Sequence, residues 1–225
     1  MGEGDIFRSG DGGAQYLPVG KFADTLDVGG RSKRSMTSQD VSGFIGKSIT
    51  LPSGWSREEK VLGGHRTMTT FSSPTDDAQL SLYDRGLKVR DQSAKYFTQL
   101  LSDSASITGP KVLLPQQIRD LADVMGMANA GDNQFTNSYT YPDPKSPAFH
   151  LSSAQMVPLN GHVVLEVQGN YFDQSGKPGM QYRGIFVSTG SDGATVKEFF
   201  LQAKSSESFA KHQKEYREAL NSIKW

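Results

Sequence analysis

The chain contains no cysteine. Disulfides, thiolate metal sites and a cysteine nucleophile are therefore excluded. It has no uninterrupted apolar run of about eighteen residues, so no segment reads as a membrane-spanning helix. It also lacks a charge bias. Twenty-four Lys and Arg balance twenty-four Asp and Glu, which argues against bulk electrostatic capture of nucleic acid or of an anionic membrane. The opening residues, MGEGDIFRSG, lack the apolar centre of a signal peptide. Ile6 stands where a myristoylation signal wants Ser or Thr. The expectation is a soluble, unanchored chain, cytoplasmic as it stands, periplasmic or lumenal if a leader was trimmed.

Catalytic signatures are also sparse. No GxSxG elbow is present, so a serine hydrolase of that type lacks its signature. Gly46-Lys47-Ser48 mimics the end of a phosphate-binding loop. The full motif wants a glycine where Val41 stands, and a helix after the lysine where the pattern reads as a strand. His65, His150, His162 and His212 show no metal-ligand spacing. Neither Asp76-Asp77 nor the Asp173 to Asp192 stretch has the alternating oxygens of a calcium loop. No metal and no cofactor is expected.

What the sequence does contain is enough apolar residue to fold. Of 225 residues, 36% are hydrophobic and 21% charged. Residues 1–40 are Gly-rich, without sustained apolar period, and read as a flexible arm. A single domain is expected over 41–225. Its start alternates as strands over Phe44–Leu51, Arg66–Ser72 and Ala78–Tyr83. Asp91 reads as a helix cap, followed by Ala94, Phe97, Leu100 and Leu101 at helical steps. Pro115 opens a second helix with Ile118, Leu121, Ala122 and Met125 on one face, stopped by Gly126.

The last third predicts a three-stranded meander over His162–Phe172, Met180–Ser188 and Thr195–Ala203. A closing helix begins near Ser206, with Phe209, Tyr216, Leu220 and Ile223 on one face. A sheet with a dry face needs a cover, and this helix supplies one. The fold class expected is α+β.

Between these parts, residues 127–153 are polar, aromatic and punctuated by Pro142, Pro144 and Pro147. Such a loop inside a compact domain is usually functional. Phe135, Tyr139, Tyr141 and Phe149 are its aromatic residues, with a short strand expected around Phe135–Tyr141. Proline-stiffened aromatics supply contact area at low entropic cost. They read either as a partner-binding surface or as a lid packed over the sheet.

The run Ile49-Thr50-Leu51-Pro52-Ser53-Gly54-Trp55 resembles the early LP-x-GW signature of the Mog1/PsbP/DcrB-like superfamily. The closing order of three strands and a helix ending in Leu220-Asn221-Ser222-Ile223 is similar too. The resemblance covers about residues 44–225. It implies an α/β/α sandwich on a mainly antiparallel sheet with a C-terminal covering helix, and a non-catalytic accessory role.

The leading expectation is an adaptor or accessory protein that binds another protein. Its candidate contacts are Phe135, Tyr139, Tyr141, Phe149 and Trp55. Two alternatives stand beside it. One is a hydrolase that pairs His65 with Asp76 or Asp77. The other is a chaperone that shields apolar helices of a secreted protein. No nucleic acid and no stable membrane insertion are expected.

Overall fold

A computed structural model describes residues 39–61, 67–84, 91–121, 124–125, 138–139, 148–172, 177–189 and 195–225. In chain order the elements are β1 (Gln39–Ser42), β2 (Ser48–Leu51), β3 (Ser56–Val61), β4 (Thr67–Ser72) and β5 (Gln79–Asp84). Next come α1 (Asp91–Asp103), β6 (Lys111–Val112), α2 (Pro115–Asp120), β7 (Ser138–Tyr139) and β8 (Ala148–Leu159). The chain continues with β9 (His162–Phe172), β10 (Pro178–Ser188), β11 (Val196–Ala203), α3 (Ser206–Lys211) and α4 (Gln213–Asn221). Of the expected arm, 1–40, residues 1–38 lie outside the described residues, as do His65, Phe135 and Tyr141, whereas Gln39 and Asp40 pair with β2.

The fold is α+β on a mainly antiparallel sheet. β1 and β2 pair as a separate hairpin. The remaining strands run in the order β3-β4-β5-β11-β10-β9-β8-β6, with β7 also paired to β8. Two meanders, β3-β4-β5 and β8 to β11, are thus joined edge to edge. The seam sets Phe199 opposite Leu82 and Leu201 opposite Leu80.

Side-chain alternation divides the central strands between two cores. On β10, Tyr182 and Phe186 enter one core, whereas Ile185 and Val187 enter the other. The first core gathers Leu165, Val167, Tyr182, Phe186 and Phe200 under Ala94, Phe97 and Leu100 of α1. Leu121 and Met125, just past α2, complete it. The second gathers Leu80, Leu82, Ile185, Phe199 and Leu201 under Phe209, Tyr216, Leu220 and Ile223. Ile45, Ile49 and Trp55 close that side. Full burial of each such Leu, Ile or Phe is worth about 1.5–3 kcal/mol. The predicted covering face of the last helix is therefore the face that is buried.

The helices depart from expectation at their ends. α2 stops at Asp120, and beyond it the Met125 amide donates to the Leu121 carbonyl at 2.9 Å. The single closing helix is two, α3 and α4, with His212 at the joint. Ser205 caps α3, its hydroxyl accepting from the Ser208 amide at 3.0 Å.

The C-terminal residues are tied down by backbone bonds. Lys47 N–H donates to the Lys224 carbonyl at 2.6 Å, and Lys224 N–H donates to Ser48 at 3.0 Å. Gly46, at φ +60°, lets that carbonyl approach, since a Cβ there would collide with it. The phosphate-loop mimic is thus a clasp for the chain end. The Ser222 hydroxyl accepts from Thr50 N–H at 2.8 Å. Asn160 donates to the Asn221 and Ile223 carbonyls at 3.0 and 3.1 Å.

Candidate functional site

Two places follow from the sequence expectations. The first is the turn between β4 and β5, where Asp76 and Asp77 sit. Both carboxylates reach across the chain to α3, one at each end. Asp77 Oδ2 accepts from Lys204 N–H at 3.0 Å and Ser205 N–H at 3.2 Å, before the helix. Asp76 accepts from Lys211 Nζ at 2.7 Å and meets His212 Nε2 at 3.0 Å, after it.

This cluster is enclosed. His212 has 4% of its side chain exposed and Asp76 16%. The indole of Trp55 meets the imidazole edge-on, with centroids 5.0 Å apart. The other ring nitrogen, Nδ1, faces Glu215 Oε1 at 3.4 Å. Burial works to raise the Asp76 pKa. Bonds from Lys211, His212, Ser73 and the Ala78 amide outweigh it and hold the carboxyl well below the ordinary 3.8. Asp76 is thus committed to His212, a pairing that the sequence reading missed because the two lie 136 residues apart. His65, the base considered for Asp76 or Asp77, lies outside the described residues.

The second place is the sheet edge beyond β8. β6 pairs there at Met156 and Gln155. β7 pairs farther along, Ser138 with His150 and Tyr139 with Phe149. Tyr139 of the aromatic segment is therefore a strand residue on this edge. Phe149 is 1% exposed and Trp55 5%. Phe149 packs against Tyr171 and Tyr182, with ring centroids 4.9 and 5.8 Å away. Both side chains are spent inside the fold. The apolar surface left near β6 is Val112 at 69% and Leu114 at 66% exposure, two residues that the sequence reading did not single out. Periodicity could not flag them, since β6 is only two residues long.

Among the described residues, no group of three or more His, Asp or Glu is placed to hold a metal ion. No helix there is long and apolar enough to cross a membrane. No protein-family model matches the chain, and no curated protein matches it.

Proposed function

We propose that the chain is a non-catalytic accessory protein that binds another protein through the sheet edge made by β6 and β7. One observation carries this reading. Val112 and Leu114 lie exposed at an edge built from two very short strands, one of which contains Tyr139 of the aromatic segment. Sheet edges present unpaired backbone groups, and exposed apolar side chains beside them suit a partner strand or loop. Phe135, Tyr139 and Tyr141 are kept as candidate partner contacts from the sequence; Tyr139 is a residue of β7, and Phe135 and Tyr141 lie outside the described residues.

We further infer an α/β/α sandwich of the Mog1/PsbP/DcrB-like type. The two cores, one under α1 and the other under α3 and α4, support it. So do the roles of the resembling residues. Leu51 and Trp55 are buried, and Gly54 turns at φ +81°. Leu220 and Ile223 are buried between the bonds that Asn221 and Ser222 make. The hydrolase alternative gains no support from Asp76, which is taken up by Lys211 and His212.

The test is affinity capture from the source cell with the native chain and with Val112→Asp/Leu114→Asp. A specific protein retained by the first, lost by the second at unchanged melting temperature, is the expected result. An identical captured set for both would remove the edge from the proposal.

A further inference from the structure

A pocket of about 810 Å³ opens at one end of the sheet, a size that suits a small organic ligand. It lies where β5 and β10 end and where β9 and β11 begin. Phe44, Asp84, Leu101, His162, Lys197 and Trp225 form its walls.

Lys197 is the unusual member. It stands directly opposite Asp84 across the β5–β11 seam. Its ammonium is nevertheless 3.9 Å from the Asp84 carboxylate, beyond hydrogen-bond reach. It lies instead over the Phe44 ring, 5.0 Å from the centroid. That attraction engages the charge and leaves the N–H donors unused. The side chain is only 16% exposed. An ammonium so withdrawn from water is stabilised by an anionic acceptor; Asp84 pairs with it through charge at 3.9 Å, and no described residue hydrogen-bonds it.

Another wall is aromatic. The His162 ring lies tilted against Trp225, with centroids 4.5 Å apart and planes 32° from parallel. The indole N–H donates to the Leu159 carbonyl at 3.1 Å, which fixes the plane of the pair. Leu101 adds apolar surface from α1.

We propose that this pocket binds a small organic acid with a planar, apolar body. The carboxylate takes the Lys197 donors, and the body lies between Phe44 and the His162–Trp225 pair. Asp84 competes for the same ammonium and keeps the affinity moderate. This inference goes beyond the protein-binding reading and does not depend on it.

Trp225 reports on the pocket, since the other tryptophan, Trp55, is buried. The probes are phenylacetate and its neutral isostere phenylacetamide, titrated at constant ionic strength against intrinsic fluorescence. Phenylacetate is expected to give a saturable change, and phenylacetamide to bind about tenfold more weakly, because a charge-assisted bond is lost. Lys197→Met should reduce the acid to the level of the amide, while Lys197→Arg keeps the preference. Asp84→Asn should tighten phenylacetate several-fold, and this arm stands even if Lys197→Met fails to fold. Equal binding of acid and amide, no saturable change with phenylacetate, or weaker binding by Asp84→Asn would each overturn the proposal.

Discussion

The Tyr182 hydroxyl donates to the Glu198 carboxylate inside the first core, where neither side chain reaches water. The two residues lie on neighbouring strands but not opposite each other. Tyr182 is registered with Gln202, and Glu198 with Phe186. The phenol ring bridges that offset by lying along β10 over Gly184. A Cβ at 184 would sit 2.7 Å from Tyr182 Cζ and 2.9 Å from Phe200 Cβ. Gly184 is therefore what permits the bond.

Gly184→Ala should destabilise the fold by about 1–3 kcal/mol, the usual cost of overpacking a core. Tyr182→Phe should cost about 1.5–3 kcal/mol, as a donor to a buried carboxylate is lost. Urea denaturation of each variant checks both values. If Gly184→Ala and Tyr182→Phe act through the same bond, the double variant will cost less than the sum. Full additivity would separate them.

The Asp76 fastening predicts a dependence on acid. A carboxyl whose folded pKa lies below its unfolded value contributes stability above the unfolded value. It loses that contribution as pH falls toward the folded one. For Asp76 the unfolded reference is 3.8 and the shift is downward. The melting temperature of the native chain should therefore fall more steeply below about pH 4 than that of Asp76→Asn. At pH 7, Asp76→Asn should be the less stable by about 1.5–3 kcal/mol, since bonds to a charged acceptor are lost. Parallel slopes in the two acid titrations would contradict this account.

How much of this was readable beforehand depends on period. The strand over His162–Phe172 carries Val163, Leu165, Val167 and Tyr171 at even steps toward the first core, with Val164 buried on the other face, and its predicted bounds are the observed ones. β8 was missed for a visible reason. Its register slips between Leu151 and Ser153. The residues facing the first core are Phe149 and Leu151, then Ala154 and Met156. A step of three interrupts the steps of two, so no alternation survives for a pattern to catch. β3 was missed for another reason. Its sequence SREEKV carries no apolar stripe, because an edge strand can leave both faces wet. The Asp76–His212 pairing and the Lys197 pocket are long-range products of topology, and neither leaves a local signature.

The clasp on the chain end gives a paired test. Gly43 and Gly46 both have positive φ, at +74° and +60°. Nothing lies within 4 Å of a Cβ placed at 43, whereas one at 46 would meet the Lys224 carbonyl. Gly43→Ala should cost only the left-handed backbone strain, about 1 kcal/mol. Gly46→Ala must add displacement of the tail and should cost about 2–4 kcal/mol in total. Hydrogen exchange at the Lys47 and Lys224 amides should quicken in Gly46→Ala alone. Equal exchange in the two variants would mean that the tail is held by its side chains.

Tyr216 makes the opposite kind of prediction, a substitution that costs nothing. Its ring stacks on Phe199, with centroids 5.3 Å apart and planes 25° from parallel. Its hydroxyl is buried and has no hydrogen-bond partner among the described residues. Burial, with the Glu166 charge nearby, raises the phenol pKa well above its ordinary 10. Removing an unsatisfied buried hydroxyl relieves a desolvation cost, so Tyr216→Phe should match or exceed the native stability. Arg183→Met is the contrasting change. Arg183 donates to Glu166 at 2.9 Å and to Gln213 at 3.1 Å. Its loss leaves the buried Glu166 with only Gln155 among these partners, at 2.8 Å, and should cost about 3–5 kcal/mol. Thermal melts of the two variants should therefore move in different directions. A drop in Tyr216→Phe as large as that in Arg183→Met would mean that the hydroxyl belongs to the same polar network.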